Sequence, residues 1–222
     1  MLLSMDRSRL GGYIQRQLDA MFPDGLPVTD LERGVDEALE RLEACFIHVA
    51  DPNFWRGEQP FFNHLHSDHY AMFLYHLSNV LYKKNVDRQV CEKLFCLNKA
   101  LYGIDVFYEV DLPKVFVFSH ATASILGRAV YSDFLLIYQH CTVGAARAVE
   151  GGGRGIYPVL GRHVSLYAGA TVLGACNIGD MCKIAAHSLI MNRQLKAGTI
   201  YRGTPTKHEA VSLSFPDNIW KA

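Results

Sequence analysis

Two periodicities divide the chain. Up to about Gly103 apolar residues recur at three- and four-residue steps, and beyond it at steps of six. Leu31, Val35, Ala38, Leu39, Leu42 and Cys45 mark one amphipathic helix, preceded by Thr29-Asp30-Leu31-Glu32, which has capping-box form. A second helix is predicted from about Ser67, with Tyr70, Leu74, Leu77 and Leu81 on one face. A third starts near Val86, carries Val90, Leu94, Leu97 and Leu101, and is closed by Gly103.

The six-residue step is clearest at Leu160, Leu166, Val172, Ile178, Ile184 and Ile190. Four positions after the first five of these stand Val164, Ala170, Cys176, Cys182 and Ser188, all small or β-branched, so two positions in every six are expected to face inward. Ile125, Tyr131, Ile137 and Val143 extend the step upstream, and Val106, Leu112 and Phe118 continue it with a slip of one residue before Ile125. A hexapeptide period is the signature of a parallel β-helix, in which no unit buries its apolar side alone and stacking buries all of them. Unlike segments must then cover the ends, for which the helical half and Val211–Trp220 are the candidates. The period fails from Ala145 to Ile156, where Glu150-Gly151-Gly152-Gly153-Arg154-Gly155 predicts a loop thrown out of the coil or a passive insertion. The expected organisation is α+β: a helical cap over 1–103, a β-helix over 104–207 with an excursion at 145–156, and a tail over 208–222.

Composition narrows function by exclusion. Lys plus Arg and Asp plus Glu both number 22, so no net field draws the chain to nucleic acid or an anionic surface. Met1-Leu2-Leu3-Ser4-Met5-Asp6 lacks a signal core of roughly seven apolar residues, and no run approaches the roughly 18 that insert into a membrane, so a cytoplasmic protein is expected. The six cysteines form no CxxC pair and several share the small inward positions, which points to buried thiols.

Three segments carry a resemblance: Ile137-Tyr138-Gln139-His140-Cys141-Thr142-Val143-Gly144, Tyr167-Ala168-Gly169-Ala170-Thr171-Val172-Leu173-Gly174, and Gly203-Thr204-Pro205-Thr206-Lys207. Over roughly Asp51 to Lys207 the chain resembles the serine O-acetyltransferases of the hexapeptide-repeat acyltransferase superfamily. The resemblance implies a left-handed β-helix, acetyl-CoA as co-substrate, no metal, and a homotrimer or dimer of trimers with active sites between neighbouring β-helices. His120, in Phe118-Ser119-His120-Ala121-Thr122, stands where the family keeps its catalytic histidine, with Asp105 fifteen residues upstream as its partner. Asp51-Pro52, followed by Pro60, is similar to the element whose aspartate helps bind the amino acid. Main-chain contacts from Ala168 and Ala186 to coenzyme A are implied, with Lys183 and Lys207 near its phosphates and amides around Gly144 as donors.

The chemistry suits these residue types. A hydroxyl needs a neutral imidazole to take its proton as it attacks a thioester, and a carboxylate on the other ring nitrogen fixes the tautomer. A satisfied structural histidine and a turn-capping aspartate at Asp105 or Asp51 are the plainer alternatives. The chain also departs from the family. Ser119 replaces an aspartate, and Ile156-Tyr157-Pro158 replaces the arginine-histidine-proline element that holds substrate, leaving Ser119, Tyr157 and Arg154, with Asp51, as acceptor contacts. The acceptor is then serine held differently, an amino alcohol or a sugar. Two other classes stay open: a zinc enzyme using His120, His140, His163 and His187, none of which form the pair four residues apart that β-helical carbonic anhydrases use, and a non-catalytic scaffold.

Overall fold

A computed structural model describes residues 1–146, 155–212 and 218–221. The chain forms two compact units, Met1–Ile104 with Asn218–Ala222, and Asp105–Asp217.

The first unit is built on helices α1 (Arg7–Met21), α2 (Glu32–Phe46), α3 (Ser67–Lys83) and α4 (Arg88–Tyr102). The expected faces are the buried ones, Val35, Ala38, Leu39, Leu42 and Cys45 on α2 and Val90, Leu94 and Leu97 on α4, except at Leu101, which is 41% exposed in the last turn of α4. α4 opens on Asp87, whose carboxylate accepts from Gln89 N–H at 3.0 Å, and ends on Gly103 at φ 67°, a conformation that suits glycine. The capping box of α2 does not form. Leu31 takes the cap position with no side-chain hydrogen bond, because Asp30 is turned to φ 63°. α1 is a helix that the periodicity does not single out, with Leu10, Ile14 and Leu18 buried in a narrow stripe. A small sheet joins Leu2–Leu3 to Gln59–Phe62 and Trp55–Arg56. The end of the chain returns to this unit: Ala50 N–H donates to Ile219 O at 2.7 Å and Lys221 N–H to His48 O at 2.8 Å. Of the segment expected to cover the coil, Trp220 therefore bridges Val49 here, and His208–Ser212 pairs at a sheet edge of the second unit.

The second unit is a parallel β-helix with three faces. The first stacks Phe116–Phe118, Leu135–Ile137, Ser165–Leu166, Lys183–Ile184 and Thr199–Gly203, with His208–Ser212 antiparallel at the end. The second stacks Ile125–Leu126, Thr142–Gly144, Thr171–Leu173 and Leu189–Met191. The third stacks Val130–Tyr131, Val159–Leu160, Asn177–Ile178 and Gln194–Leu195. All six hexad aliphatics and their five small partners are buried inside, as the period predicts. The phase differs at one place: Leu126, fully buried, pairs with Val143, whereas Ile125 is 47% exposed. Two residues added at the preceding corner, rather than one, move the inward position along. Ala146 and Ile156 form an antiparallel bridge across the base of the excursion, whose residues 147–154 lie outside those described. Among the described residues no helix is long and apolar enough to cross a membrane.

The first unit holds two histidines uncharged. His69, fully buried, stacks on His66 with ring centroids 4.2 Å apart and packs against Phe46 and Phe54. Its Nδ1 accepts from Asn63 N–H at 3.2 Å, while its Nε2 is buried with no partner among the described residues. Burial above all, then the charges of His66 and Arg56, pushes its pKa down to about 3; burial and then Arg41 do the same for His76. Both are neutral when folded and bind a proton near pH 6.5 when unfolded. Their contribution is therefore complete above pH 6.5 and is lost as pH falls from there towards 3, at about 1.4 kcal/mol per pH unit for each. Trp55 and Trp220, the two tryptophans of the chain, both lie in this unit, so their fluorescence reports its unfolding. Urea midpoints read this way should decline steadily below pH 6.5, and less steeply in His69→Phe; a flat profile between pH 7 and 4 contradicts the assignment.

Candidate active site at one edge of the coil

His120 lies at the edge between the first and second faces. Phe118 pairs with Ile137 and Ile125 with Thr142, so the chain takes seven steps around this corner where the next coil takes five. The added residues form a projection on which His120 sits at φ 56° with its side chain exposed. Hydrogen bonds hold its base. Ser119 N–H donates to Ile137 O at 2.8 Å and His140 N–H to Thr122 O at 2.9 Å. Buried Ser124 ties the corner to the next coil, its hydroxyl donating to Tyr138 O at 3.1 Å and accepting from Cys141 N–H at 3.1 Å.

Asp105 comes in from the coil before. Its amide donates to Ser124 O and its carbonyl accepts from Leu126 N–H, both at 2.9 Å, in a parallel bridge to Ile125. The topology thus brings the two residues of the expected proton-transfer pair to successive coils at one end of the second face.

The same edge carries the expected main-chain contacts. Ala168 and Ala186 occupy matching corners of the third and fourth coils, where Gly169 N–H donates to Gln139 O at 2.9 Å and His187 N–H to Ala168 O at 2.8 Å. No bond of the coil ladder uses the amide of Ala168 or Ala186 among the described residues, so both are available to a ligand. Gly169 at φ 71° also admits the ring of His187, since a Cβ there would lie 2.6 Å from its Nδ1. From His120 to Ala186 is three coil steps, about 14 Å at the usual strand spacing.

Other expected residues lie elsewhere. Gly144 ends its strand on the far side of the second face, and its carbonyl accepts from Gly174 N–H at 3.0 Å. Tyr157 is exposed at the corner between the second and third faces, its ring against Gly155. Arg154 lies outside the described residues. Lys183 is buried on the first face, in register with Ser165, and so is not a surface lysine. Lys207 is exposed in the turn where Thr204 N–H donates to Lys207 O at 2.8 Å. Asp51 belongs to the first unit, and its Oδ1 accepts from Asn53 N–H at 2.8 Å, capping the short turn Pro52–Phe54. That is the turn-capping role set beside ligand binding.

Ser124, Tyr138 and Tyr167 have chemistry that the motifs conceal. Tyr138 and Tyr167, partly exposed beside His120, stack with centroids 5.3 Å apart and 12° between planes. They hold the same position in successive coils, which the excursion hides by setting them 29 residues apart instead of 18. Ser124, His140, His163 and His187 sit at or beside corners, and His163 stacks on Phe134 at 4.3 Å. Among the described residues no three of His, Cys, Asp or Glu come together to hold a metal. None of the six cysteines is in a disulfide, and five are buried while Cys96 is exposed. Burial pushes the Cys141 thiol up to about 11, so this neighbour of the corner stays protonated.

No family model matches the chain. The serine acetyltransferase of Helicobacter pylori strain 26695 is 27% identical over 139 residues, 62% of this chain and 78% of the relative. The crystal structure of Neisseria gonorrhoeae serine acetyltransferase superposes with a TM-score of 0.67 at 21% identity, over 94% of this chain and 81% of that one. The Brucella abortus serine acetyltransferase in complex with coenzyme A gives 0.68 at 19% identity, over 96% and 85%. The stacked hexads and these structures define a left-handed β-helix of the hexapeptide-repeat class with a helical N-terminal region. Within that class the chain is serine acetyltransferase-like in both sequence and fold.

Ser124 gives the corner a direct test. Ser124→Ala strands a buried amide at Cys141 and a carbonyl at Tyr138, which should lower stability by about 1–3 kcal/mol in urea denaturation. Acetyl transfer should fall with it as the His120 projection loosens. Stability and activity both equal to wild type would show that the hydroxyl does not hold the corner.

Proposed function

We propose that the chain is an acetyl-CoA-dependent O-acetyltransferase of the serine acetyltransferase type, with His120 as general base. The observation that carries this is the edge itself, which lines up an exposed imidazole with two available amides on small residues. Along that track the amides of Ala168 and Ala186 contact the cofactor's arm, and Ala185, Ala186 and Gly169 leave room for it. Lys207, at the exposed turn, stands for the phosphates.

The step is then simple. His120 takes the proton of the acceptor hydroxyl as its oxygen bonds to the acetyl carbon, the C–S bond breaks, and the proton returns to the leaving thiolate. Asp105 holds the tautomer and stabilises the imidazolium. A homotrimer or dimer of trimers is the assembly that goes with this reading, and exposed Ile125, Val130 and Val159 on the second and third faces support it. His120→Ala should reduce kcat by about 100-fold or more, the usual weight of general base catalysis, with little change in the affinity for coenzyme A. Full activity in that variant ends the mechanism, and failure of the wild type to release thiol from acetyl-CoA favours a scaffold.

Serine is the acceptor that the relatives' names print. A second reading is favoured by Ile156 and Tyr157, both exposed where the family's cationic pair is expected, since neither offers a charge to a carboxylate. Loss of such a charge-assisted contact should cost about 2–4 kcal/mol, or roughly 30- to 1,000-fold in specificity. On this reading an amino alcohol or a saccharide has a higher kcat/KM than L-serine. Serine turned over at ~10⁴ M⁻¹s⁻¹ or above, with nothing better in the panel, makes serine the acceptor.

A further inference from the structure

His120 stands on a projection, and a general base must be held in one orientation to act. The ring of Tyr138 lies beside it, with centroids 6.3 Å apart and planes tilted by 46°. Tyr138 is in turn backed by Tyr167 at 5.3 Å. Three rings from three coils thus form a column down the edge, with His120 the first in chain order. The face of an aromatic ring is electronegative and attracts a cation, so it interacts more strongly with imidazolium than with imidazole. Imidazolium is the state that acetyl transfer creates.

We propose that Tyr138 is a positioning residue for His120, orienting its imidazole and stabilising the imidazolium through the ring face, with Tyr167 bracing Tyr138. This rests on His120 as the general base. The titratable groups of the adjoining coils are Asp105 before the imidazole, and Tyr138 and His140 after it. Asp105 and His140 are unchanged in the variants below, so a shift between variants isolates the ring.

The imidazole of His120 is titrated by NMR in wild type, Tyr138→Leu, Tyr138→Phe and Tyr167→Leu, its resonance assigned by its loss in His120→Asn. Tyr138→Leu should lower its pKa by about 0.4–0.7 of a unit, the size of an exposed cation–π contact. The acid limb of kcat/KM should move by the same amount, and kcat should drop several-fold with the KM for acetyl-CoA unchanged. Tyr138→Phe keeps the face and should restore the wild-type titration. Tyr167→Leu should give part of the shift alone and none on top of Tyr138→Leu; because it leaves Tyr138 in place, it also serves if Tyr138→Leu folds poorly. An unmoved His120 titration in folded Tyr138→Leu overturns the proposal, and so does a Phe variant as defective as Leu, which would assign the effect to the hydroxyl. The titration needs no turnover. Failure of the general-base reading, seen as full activity in His120→Ala, is thereby distinguishable from failure of the ring column.

Discussion

Parallel pairing between strands of two or three residues governs the second unit. Such a strand makes too few bonds to persist alone, and it holds only because each coil donates to the next at a fixed offset. Ser165 N–H reaches Cys182 O at 2.9 Å and Tyr167 N–H reaches Ile184 O at 3.0 Å, and the same relation recurs on all three faces. Shifting one coil by a residue would turn Leu166 or Ile184 outward and break the ladder on both sides. Coil length is therefore constrained, and additions are tolerated only at corners, where the chain leaves one face before joining the next.

The two additions to this coil both bear on chemistry. Two residues at the first corner lift His120 clear of the surface, and the Ser124 hydroxyl ties the base of that projection to the following coil. The longer excursion leaves between the second and third faces and is closed by Ala146 and Ile156, which puts Tyr157 at a different corner from His120. Within one chain, then, His120 and Asp105, the residues proposed for proton transfer, share an edge and Tyr157 lies off it. The excursion can therefore change without disturbing the ladder under His120.

What the sequence makes legible follows from how strictly each feature is constrained. The hexads from Leu160 to Ile190 are visible because every inward position must be apolar, and the helices of the first unit because each buries one face. Ile125 is misread because both it and Leu126 are aliphatic, so composition cannot tell which faces inward once a corner has changed length. The capping box at Thr29 fails because an αL turn at Asp30 displaces the motif, which is a backbone choice and not a side-chain pattern. Lys183, set near the cofactor phosphates by the resemblance, occupies a covered strand, which no motif in one dimension shows. The stack of Tyr138 on Tyr167 is invisible for a different reason, since it depends on register across an insertion.

Left-handed backbone conformation at the corners has an evolutionary consequence. Phe134, His140, His163, Met181, His187 and Asn192 all adopt φ between 49° and 66°, a region where a side chain with a Cβ is disfavoured by roughly 1–2 kcal/mol relative to its ordinary basins. Asn192 and the three histidines are of types enriched in this region, whereas Phe134 and Met181 are not, and Gly169 shows that glycine also serves at an edge. The corners thus hold a reserve of unused stability that Asn or Gly would release. A lineage of this protein has room to absorb destabilising changes elsewhere in the coil by relaxing Phe134 or Met181 in compensation, so the corners set how much change accumulates before the coil fails.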